Sequence, residues 1–327
     1  MKKRIAIVGL GKMGLLHASI MTMLEDVELV AICEKNPLVR RFSKKVIPNI
    51  DIVAVLEGLK NRKLDALCVT TPPASHFPII KEIYESGIVR NIFTEKPLAV
   101  NYVQAKELSS LAEAYGGVNM VGYHRRFSVT SRKARQILEA GNIGKLSFFQ
   151  GYAYSADFLG ARSSSQTIAR GGVLKDSGCH AIDLAIWLLG EMEVVNFRLK
   201  SIIGYGSEDE VYLEVKTLDG VKGEFMFSWC KEGYRLPDIG LSITGVKGTL
   251  KFNEDKLELD LRDEKSSVWY KHNLNDFVPF FIGGAEYQRQ DELFIKAINN
   301  GEIAEPSFRN ASKVEKLLDQ AYSRAKG

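Results

Sequence analysis

Residues 4–14 read RIAIVGLGKMG, an apolar run followed directly by three glycines in G-x-G-x-x-G spacing. The run Ile5–Val8 predicts a short buried strand, and the residues around and after Gly14 predict a helix. In such a strand–turn–helix unit, the first glycine allows a tight turn, the second lets a pyrophosphate approach the backbone, and the third lets the helix pack on the strand. Backbone N–H groups at the helix start would bind the phosphates. The residues expected to bind a dinucleotide here are Gly9, Gly11, Lys12, Met13 and Gly14.

The second predicted strand, VELVAIC, is followed directly by an acidic residue. This residue, Glu34, comes 20 positions after Gly14, where a carboxylate accepts hydrogen bonds from the ribose of a bound dinucleotide. A carboxylate at this place repels a 2′-phosphate, so NAD is favoured as the cofactor. The cations Lys35, Arg40 and Arg41 follow within a few residues, and they leave NADP possible.

Strand and helix signals alternate up to about residue 122 and then change in character. The alternation predicts an N-terminal Rossmann domain of the α/β class, a doubly wound parallel sheet with helices on both faces. Beyond residue 122, strands follow strands through tight turns such as Asp219-Gly220, which predicts a C-terminal α/β domain with a large, mainly antiparallel, open-faced sheet. A length of 327 residues also favours two domains over one. The predicted domains are 1–122 and 123–327.

The charges of the chain are nearly balanced, with 44 Lys and Arg against 40 Asp and Glu and a net charge of +4. Because the basic residues are dispersed, neither a nucleic acid nor a membrane surface is an expected partner. The four cysteines lie far apart without a C-x-x-C pair, so we expect no metal site, no disulfide framework and a cytoplasmic location. The apolar run near the start is too short for a signal peptide, and no run reaches the roughly 18 apolar residues of a membrane span.

Two further segments follow predicted strands and should lie at strand carboxyl ends, where open parallel sheets bind ligands. They are Thr70–His76 and Glu95–Pro97. In the second segment, Lys96 is a cation that could hold a substrate hydroxyl and take part in proton transfer. The alternative is a surface lysine in a loop. The residues of these segments expected to contact the cofactor are Thr70, Thr71, Pro72, His76, Glu95 and Lys96.

A second polar group of residues stands at the start of an apolar helix, in LKDSGCHAID (174–183). If that helix begins at Ser177, Asp176 and His180 lie near one face, with Asp183 a turn further on. The carboxylate of Asp176 could orient the imidazole, which then accepts a proton near neutral pH. The alternative is a capping acid followed by a hydrogen-bonded histidine of the core.

Four motifs follow the glycine loop in order: VTTPPASH (69–76), TEKPL (94–98), GYHRRF (122–127) and GGVLKDSGCHAIDLAIWLLG (171–190). With the glycine loop they resemble the glucose–fructose oxidoreductase/inositol dehydrogenase (Gfo/Idh/MocA) family, and the resemblance covers nearly the whole chain. In that family the lysine of E-K-P and the Asp and His of D-x-x-x-H form the catalytic cluster. The resemblance therefore implies Lys96, Asp176 and His180 as the catalytic residues.

The same resemblance implies that the second domain binds the substrate and mediates oligomerisation. The open face of its sheet would form a homodimer or homotetramer, and aromatic residues would supply apolar surface for that contact. These residues are Phe148, Phe225, Phe227 and Trp229.

Position 124 departs from the family pattern, since many relatives read G-Y-N-R-R-F where this chain has histidine. The change alters a group expected near the nicotinamide or the substrate. Further cations could bind a carboxylate or phosphate of the substrate, with surface charge as the alternative for each. The residues expected to contact the substrate are Tyr123, His124, Arg125, Asp157, Arg170 and Lys175, with Arg162 as a further cation. His17, in the first predicted helix, is interpreted as structural.

The expected reaction is the NAD(P)-dependent oxidation of a secondary alcohol of a polyol, sugar or sugar derivative, or the reverse reduction. His180, supported by Asp176, would remove the hydroxyl proton, and Lys96 would hold the oxygen. Inositol, a free sugar and a nucleotide sugar all fit this chemistry. Two alternatives stay open: an NAD-dependent glycoside hydrolase of the same family, and a non-catalytic sensor that binds a dinucleotide.

Overall fold

The computed structural model describes residues 1–47, 49–158, 171–202, 207–262 and 265–325. The chain divides into two compact units. Unit 1 comprises Met1–His124 and Val278–Glu315, and unit 2 comprises Arg125–Phe277 and Lys316–Gly327. Val278–Glu315 thus belong to unit 1, whereas a boundary at residue 122 would assign them to the second domain.

The elements of the described residues are numbered in chain order. The strands are β1 (Lys3–Val8), β2 (Val27–Cys33), β3 (Asp51–Val53), β4 (Ala66–Val69), β5 (Asn91–Thr94), β6 (Asn119–Val121), β7 (Leu146–Tyr154), β8 (Met192–Lys200), β9 (Glu210–Thr217), β10 (Lys222–Ser228), β11 (Asp238–Gly245), β12 (Gly248–Phe252), β13 (Lys256–Leu261) and β14 (Ser267–Tyr270). The α-helices are α1 (Lys12–Met23), α2 (Pro37–Val46), α3 (His76–Glu85), α4 (Tyr102–Tyr115), α5 (Val129–Glu139), α6 (Cys179–Leu189), α7 (Ala285–Asn300) and α8 (Phe308–Arg324). None of these helices is both long and apolar enough to cross a membrane.

Unit 1 is built on a parallel sheet in the order β3-β2-β1-β4-β5-β6. All of Ala66–Val69 in β4 and Ile5–Ile7 in β1 are completely buried. Strands that are apolar without interruption are expected in a parallel sheet covered on both faces. The strand order reverses between β1 and β4, and sheets of this type bind ligands at the carboxyl ends of the strands beside such a point. The prediction of a doubly wound parallel sheet is confirmed.

Residues far along the chain complete unit 1. Helix α7 packs against α1, and the N–H of Val121 in β6 donates to the carbonyl oxygen of Pro306 at 2.8 Å. Asn119 accepts a hydrogen bond from the Phe308 N–H through its Oδ1 at 2.8 Å. These contacts bring side chains of α7 into the unit that carries the glycine loop.

Unit 2 is built on a sheet in the order β14-β13-β12-β11-β7-β10-β9-β8. Strands β7 and β10 pair in parallel, and the other pairs are antiparallel. Helix α6 packs against β7 and β11, and α5 packs against β12 and β13. The prediction of a second, mainly antiparallel sheet is confirmed.

The aromatic residues expected on the open face of this sheet lie mostly in the core. Phe225, Phe227 and Trp229 are at most 1% exposed, so the expectation that they supply apolar surface is wrong for these three. Phe225 and Phe227 alternate with Glu224 and Met226 along β10, and Met226 is 39% exposed. Because side chains alternate across a strand, the phenylalanines point to one face and the other two residues to the opposite face.

Candidate functional site

The three glycines between β1 and α1 each meet a different steric requirement. Gly9 has a φ of +93°, and a methyl group there would lie 2.7 Å from Cγ2 of Thr71. A methyl group at Gly14 would lie 2.0 Å from the carbonyl oxygen of Gly9, so α1 can pack this closely only on glycine. The space beside Gly11 is open, and this residue caps α1 without a side-chain hydrogen bond. The first turn of α1 therefore offers its backbone N–H groups to a phosphate.

Glu34 lies directly after β2, and its carboxylate is held at the edge of the glycine loop. Oε2 accepts a hydrogen bond from the Leu10 N–H and Oε1 accepts one from the Asn36 N–H, each at 2.7 Å. The Arg40 guanidinium donates to the main-chain carbonyl oxygens of Glu34 and Lys35 at 2.9 and 2.6 Å. Two backbone amides thus fix a negative charge beside the loop. A carboxylate held in this way fits the ribose hydroxyls of NAD and repels a 2′-phosphate.

His76 connects the loops that follow β4 and β5. It is completely buried, with Nδ1 2.7 Å from the carbonyl oxygen of Pro97 and Nε2 2.7 Å from that of Thr71. Burial lowers the pKa of His76, and the two carbonyl groups act in the opposite direction. The Thr70 hydroxyl donates to the Gly9 carbonyl at 2.7 Å. Hydrogen bonds therefore join three loops predicted to bind the cofactor at one edge of the sheet.

Lys96 is half-buried in the loop after β5, beside a buried carboxylate. The Lys96 N–H donates to Oε2 of Glu95 at 3.2 Å, and Oε1 of Glu95 lies 3.0 Å from Nε2 of His17 in α1. Nδ1 of the same imidazole lies 2.8 Å from Oδ2 of Asp291 in α7. Glu95, His17 and Asp291 together form the His17 cluster.

Sequence reasoning missed part of this cluster. Asp291 lies 274 positions from His17, and no local motif connects the two. His17 was interpreted as structural because a histidine in an apolar helix carries no specific signal by itself. The useful signal was the position of Glu95 in E-K-P, since a buried carboxylate needs a partner and only a tertiary structure identifies it.

Asp176 and His180 lie where a π-helical turn runs into α6. The turn spans Leu174–Gly178, so the helical backbone begins before Ser177, and the expectation that the helix starts at Ser177 is wrong. Asp176 is half-buried and His180 is 5% exposed. Turns of the π type are rare and occur frequently at functional sites. Both residues predicted to carry proton chemistry in unit 2 therefore lie on one specialised segment.

Side chains near the end of β10 support the π-helical turn. Nε1 of Trp229 donates to the Ser177 hydroxyl at 3.3 Å. A methyl group at Gly178 would lie 2.7 Å from Cδ2 of Phe227, so the turn approaches this ring as closely as glycine permits. Phe227 and Trp229, two of the aromatic residues that were expected on the surface, thus contact the turn.

Glu208 supports the other end of the turn. Its Oε1 accepts hydrogen bonds from the Tyr322 hydroxyl at 2.7 Å and from the Leu174 N–H at 3.3 Å, and burial raises its pKa. A methyl group at Gly172 would lie 2.0 Å from the same oxygen. Nζ of Lys175 lies 5.2 Å from the centre of the Tyr322 ring. This is a cation–π contact, and a role of Lys175 in substrate binding stays a prediction.

Asp183, one turn after His180, forms a buried ion pair. Nε and Nη2 of Arg126 donate to its two carboxylate oxygens at 2.7 and 2.5 Å, and both side chains are at most 4% exposed. Bidentate pairing of this kind gives a fixed geometry. Asp183 therefore anchors α6 rather than adding a second carboxylate to the predicted proton chemistry.

The residues of GYHRRF that were expected to contact a substrate are largely enclosed. Tyr123 is completely buried, and the ring of His124 stacks on that of Tyr287 with centroids 4.2 Å apart. Arg125 forms an ion pair with Glu254. A role in substrate binding stays a prediction for Tyr123, His124 and Arg125.

The remaining predicted site residues differ in accessibility. Asp157, Lys12 and Pro72 are exposed, and Met13 is half-buried. Arg170 and Arg162 lie outside the described residues. Among the described residues, no group of three or more His, Cys, Asp or Glu side chains could hold a metal ion, and the four cysteines are thiols.

A glycine loop at the switch point of a parallel sheet, with a carboxylate fixed beside it, defines a dinucleotide-binding protein. The chain belongs to the Gfo/Idh/MocA oxidoreductases. Residues 3–123 match the model of the oxidoreductase family with an NAD-binding Rossmann fold, and residues 131–251 match the model of the GFO/IDH/MocA C-terminal domain. The predictions of the family and of an NAD-binding domain are confirmed.

Two curated relatives are inositol dehydrogenases. The chain is 30% identical to the scyllo-inositol 2-dehydrogenase (NAD(+)) of Bacillus subtilis over 208 residues, which is 62% of this chain and 57% of that protein. It is 24% identical to the inositol 2-dehydrogenase of Rhizobium meliloti over 98% of this chain and 96% of that protein. The first alignment thus covers little more than half of the relative.

Solved structures share the fold. Levoglucosan dehydrogenase, in a complex with NADH and levoglucosan, matches with a TM-score of 0.86 and 22% identity, over 100% of this chain and 98% of that one. At this identity the similarity establishes the architecture alone.

Proposed function

We propose that this protein is an NAD-dependent dehydrogenase that transfers a hydride between nicotinamide and a secondary alcohol of a polyol, sugar or sugar derivative. The observation that carries the proposal is the joining of the glycine loop, Glu34 and the Lys96 loop at one edge of the unit 1 sheet. Family membership and the names of the two inositol dehydrogenase relatives support the substrate class.

The glycine loop and Glu34 support NAD over NADP. When bound, NAD supplies the hydride acceptor. Gly11 and the first turn of α1 would hold the pyrophosphate, and Glu34, fixed by the Leu10 and Asn36 amides, would accept the ribose hydroxyls. These residues fit the cofactor because the loop is open beside Gly11 and no side chain caps the helix.

The proton chemistry is assigned residue by residue from the family motifs. His180 would accept the proton of the substrate hydroxyl, and Asp176 would stabilise the imidazolium that forms. Lys96 would bind the same oxygen through its ammonium group. The placement of Asp176 and His180 at a π-helical turn supports a functional role for this segment.

Two further properties belong to the proposal. The cysteines are thiols, which supports a cytoplasmic location, and the dispersed charge argues against a nucleic acid partner. A homodimer or homotetramer is supported by Tyr212 and Met226, which alternate with core residues along β9 and β10 and leave partly apolar surface on the sheet.

The test is turnover on a panel of inositols, glycosides, free sugars and nucleotide sugars, with NAD and NADP in separate assays read by nicotinamide absorbance. Lys96→Met and His180→Gln should each lower kcat by about 10²- to 10⁴-fold, and His180→Gln should retain NADH binding, read by fluorescence. Exposed residues of the same type supply the controls, Lys106→Met and His272→Gln, which should turn over like the wild type.

Full turnover by both Lys96→Met and His180→Gln on the true substrate would refute the assigned roles. Release of a glycosidic group without net NADH would instead identify a hydrolase. Binding of NADH without any turnover on the panel would favour the sensor.

A further inference from the structure

The His17 cluster places an imidazole between two carboxylates inside unit 1. His17 is completely buried, with Nδ1 2.8 Å from Asp291 and Nε2 3.0 Å from Glu95. Ionised carboxylates only accept hydrogen bonds, so each ring nitrogen must carry a proton to bond its partner. With both carboxylates ionised, the geometry fits an imidazolium.

The two neighbouring carboxylates also favour the protonated form of His17. Burial acts to lower the pKa of His17, but Asp291 and then Glu95 raise it to about 10. The pKa of Asp291 is raised, because the effect of burial outweighs the opposing effect of His17. The rings of Phe93 and Tyr287 also lie near the imidazole, at 4.9 and 6.4 Å between ring centroids. The raised pKa favours a protonated His17 at neutral pH.

The Glu95 carboxylate connects His17 to the backbone of the E-K-P loop. One carboxylate oxygen contacts His17, and the other accepts the Lys96 N–H at 3.2 Å. A methyl group at Gly122 would lie 2.7 Å from the first oxygen, so the carboxylate has little room to turn. The carboxylate that accepts the Lys96 N–H is thus also in contact with His17.

We propose that His17 and Asp291 are positioning residues for Lys96: the imidazolium, fixed by Asp291, holds Glu95 so that its second oxygen orients the backbone of the E-K-P loop. Burying three charged side chains costs free energy, and a protein in which apolar residues replace such a cluster is often no less stable. A role in positioning Lys96 explains why these charged side chains are buried together. The proposal rests on the function proposed above, because that function gives Lys96 its catalytic role.

The first experiment separates positioning from stability. In His17→Gln, one amide cannot donate from opposite ends to two carboxylates. We expect kcat to fall about 10- to 100-fold, as for a displaced reactive group. KM for NAD should change less than about twofold, because the glycine loop is untouched.

Ile20→Ala is the matched control, because Ile20 is completely buried in the same helix and its side chain has no hydrogen-bonding or ionisable group. It should lower the unfolding temperature to a similar extent and keep the wild-type kcat. An equal loss of kcat in Ile20→Ala would refute the positioning role.

The second experiment needs neither cofactor nor turnover. Lysines of the protein without NAD are reductively methylated with ¹³C, and the Lys96 signal is assigned with Lys96→Arg. The signal should shift in His17→Gln and in Gly122→Ala, since the latter displaces Glu95 but removes no ionisable side chain. It should stay unchanged in Ile20→Ala.

A Lys96 signal that is unchanged in His17→Gln and Gly122→Ala overturns the proposal. A shifted signal in a protein with no dehydrogenase activity would uphold the positioning and refute the proposed function. An unchanged signal in an active dehydrogenase would refute the positioning and uphold the proposed function.

Discussion

The glycine loop of unit 1 and the π-helical turn of unit 2 both contain glycines at which a methyl group would have no room. In the loop the constraint is local, because Gly14 meets the carbonyl of Gly9 five residues earlier. In the residues that lead into the turn it comes from a distance, because Gly172 meets Glu208 of a separate segment. A local constraint is visible in the sequence, whereas a distant one depends on the tertiary structure.

The largest effect is expected from Gly14→Ala. The new methyl group would overlap the Gly9 carbonyl at 2.0 Å, so α1 must move away from β1. We expect the free energy of unfolding to fall by about 3 kcal/mol, as for severe overpacking, and NADH binding to be lost. Urea unfolding and NADH fluorescence measure the two effects.

Gly11→Ala is the control for this loop, since the space beside Gly11 is open. It should leave stability nearly unchanged and weaken NADH binding only. If Gly14→Ala and Gly11→Ala change stability and NADH binding equally, then separate roles of Gly14 in packing and of Gly11 in phosphate binding are refuted.

Gly172→Ala should have the next largest effect. It combines a φ of +97° with a contact 2.0 Å from Glu208, so the π-helical turn must shift. We expect a loss of about 2 kcal/mol in the free energy of unfolding and a lower kcat. Gly171→Ala shares the positive φ but meets only Cδ of Lys175 at 3.9 Å, so it should lose about 1 kcal/mol.

The pH dependence of stability extends the comparison to the His17 cluster. The pKa of His17 is raised from 6.5 to about 10, so protonation stabilises the folded state fully below about pH 6.5. This contribution is lost as the pH rises toward 10. Between pH 7 and pH 9, the unfolding temperature of the wild type should fall roughly 5 °C more than that of His17→Gln. Parallel curves in differential scanning calorimetry would contradict a protonated His17.

The smallest effect is expected from Glu34→Gln. The amide keeps the size of the side chain and removes the charge that repels a 2′-phosphate. The preference for NAD over NADP, as a ratio of kcat/KM values, should fall about tenfold, the worth of one charge-assisted hydrogen bond. Arg41→Gln, which removes an exposed cation nearby, should leave the ratio close to that of the wild type.

The fold and the cofactor site follow closely from the sequence because their signals are short-range. Gly9, Gly11 and Gly14 follow a strand directly, and Glu34 follows the next one, so a single βαβ unit contains the whole pattern. The parallel sheet of unit 1 and the antiparallel sheet of unit 2 were predicted correctly for the same reason, since strand alternation and turn residues are local features.

The features missed from the sequence all depend on long-range contacts. Asp291 reaches His17 across 274 positions, and the helical start before Ser177 depends on supports from Glu208 and Trp229. Phe225 and its neighbours in β10 were expected on the surface, because a strand pattern does not reveal which face the helices cover. Such choices are made by packing, which propensity and spacing do not encode.

The most direct test of the central claim is hydride transfer itself. The protein is incubated with NAD and inositols or glycosides that carry deuterium at their secondary alcohol carbons, and the nicotinamide is analysed by mass spectrometry. We predict deuterium in the reduced nicotinamide from at least one substrate, strongly diminished in His180→Gln and retained in His272→Gln. Tight NAD binding without deuterium transfer from any member of the panel would contradict the account.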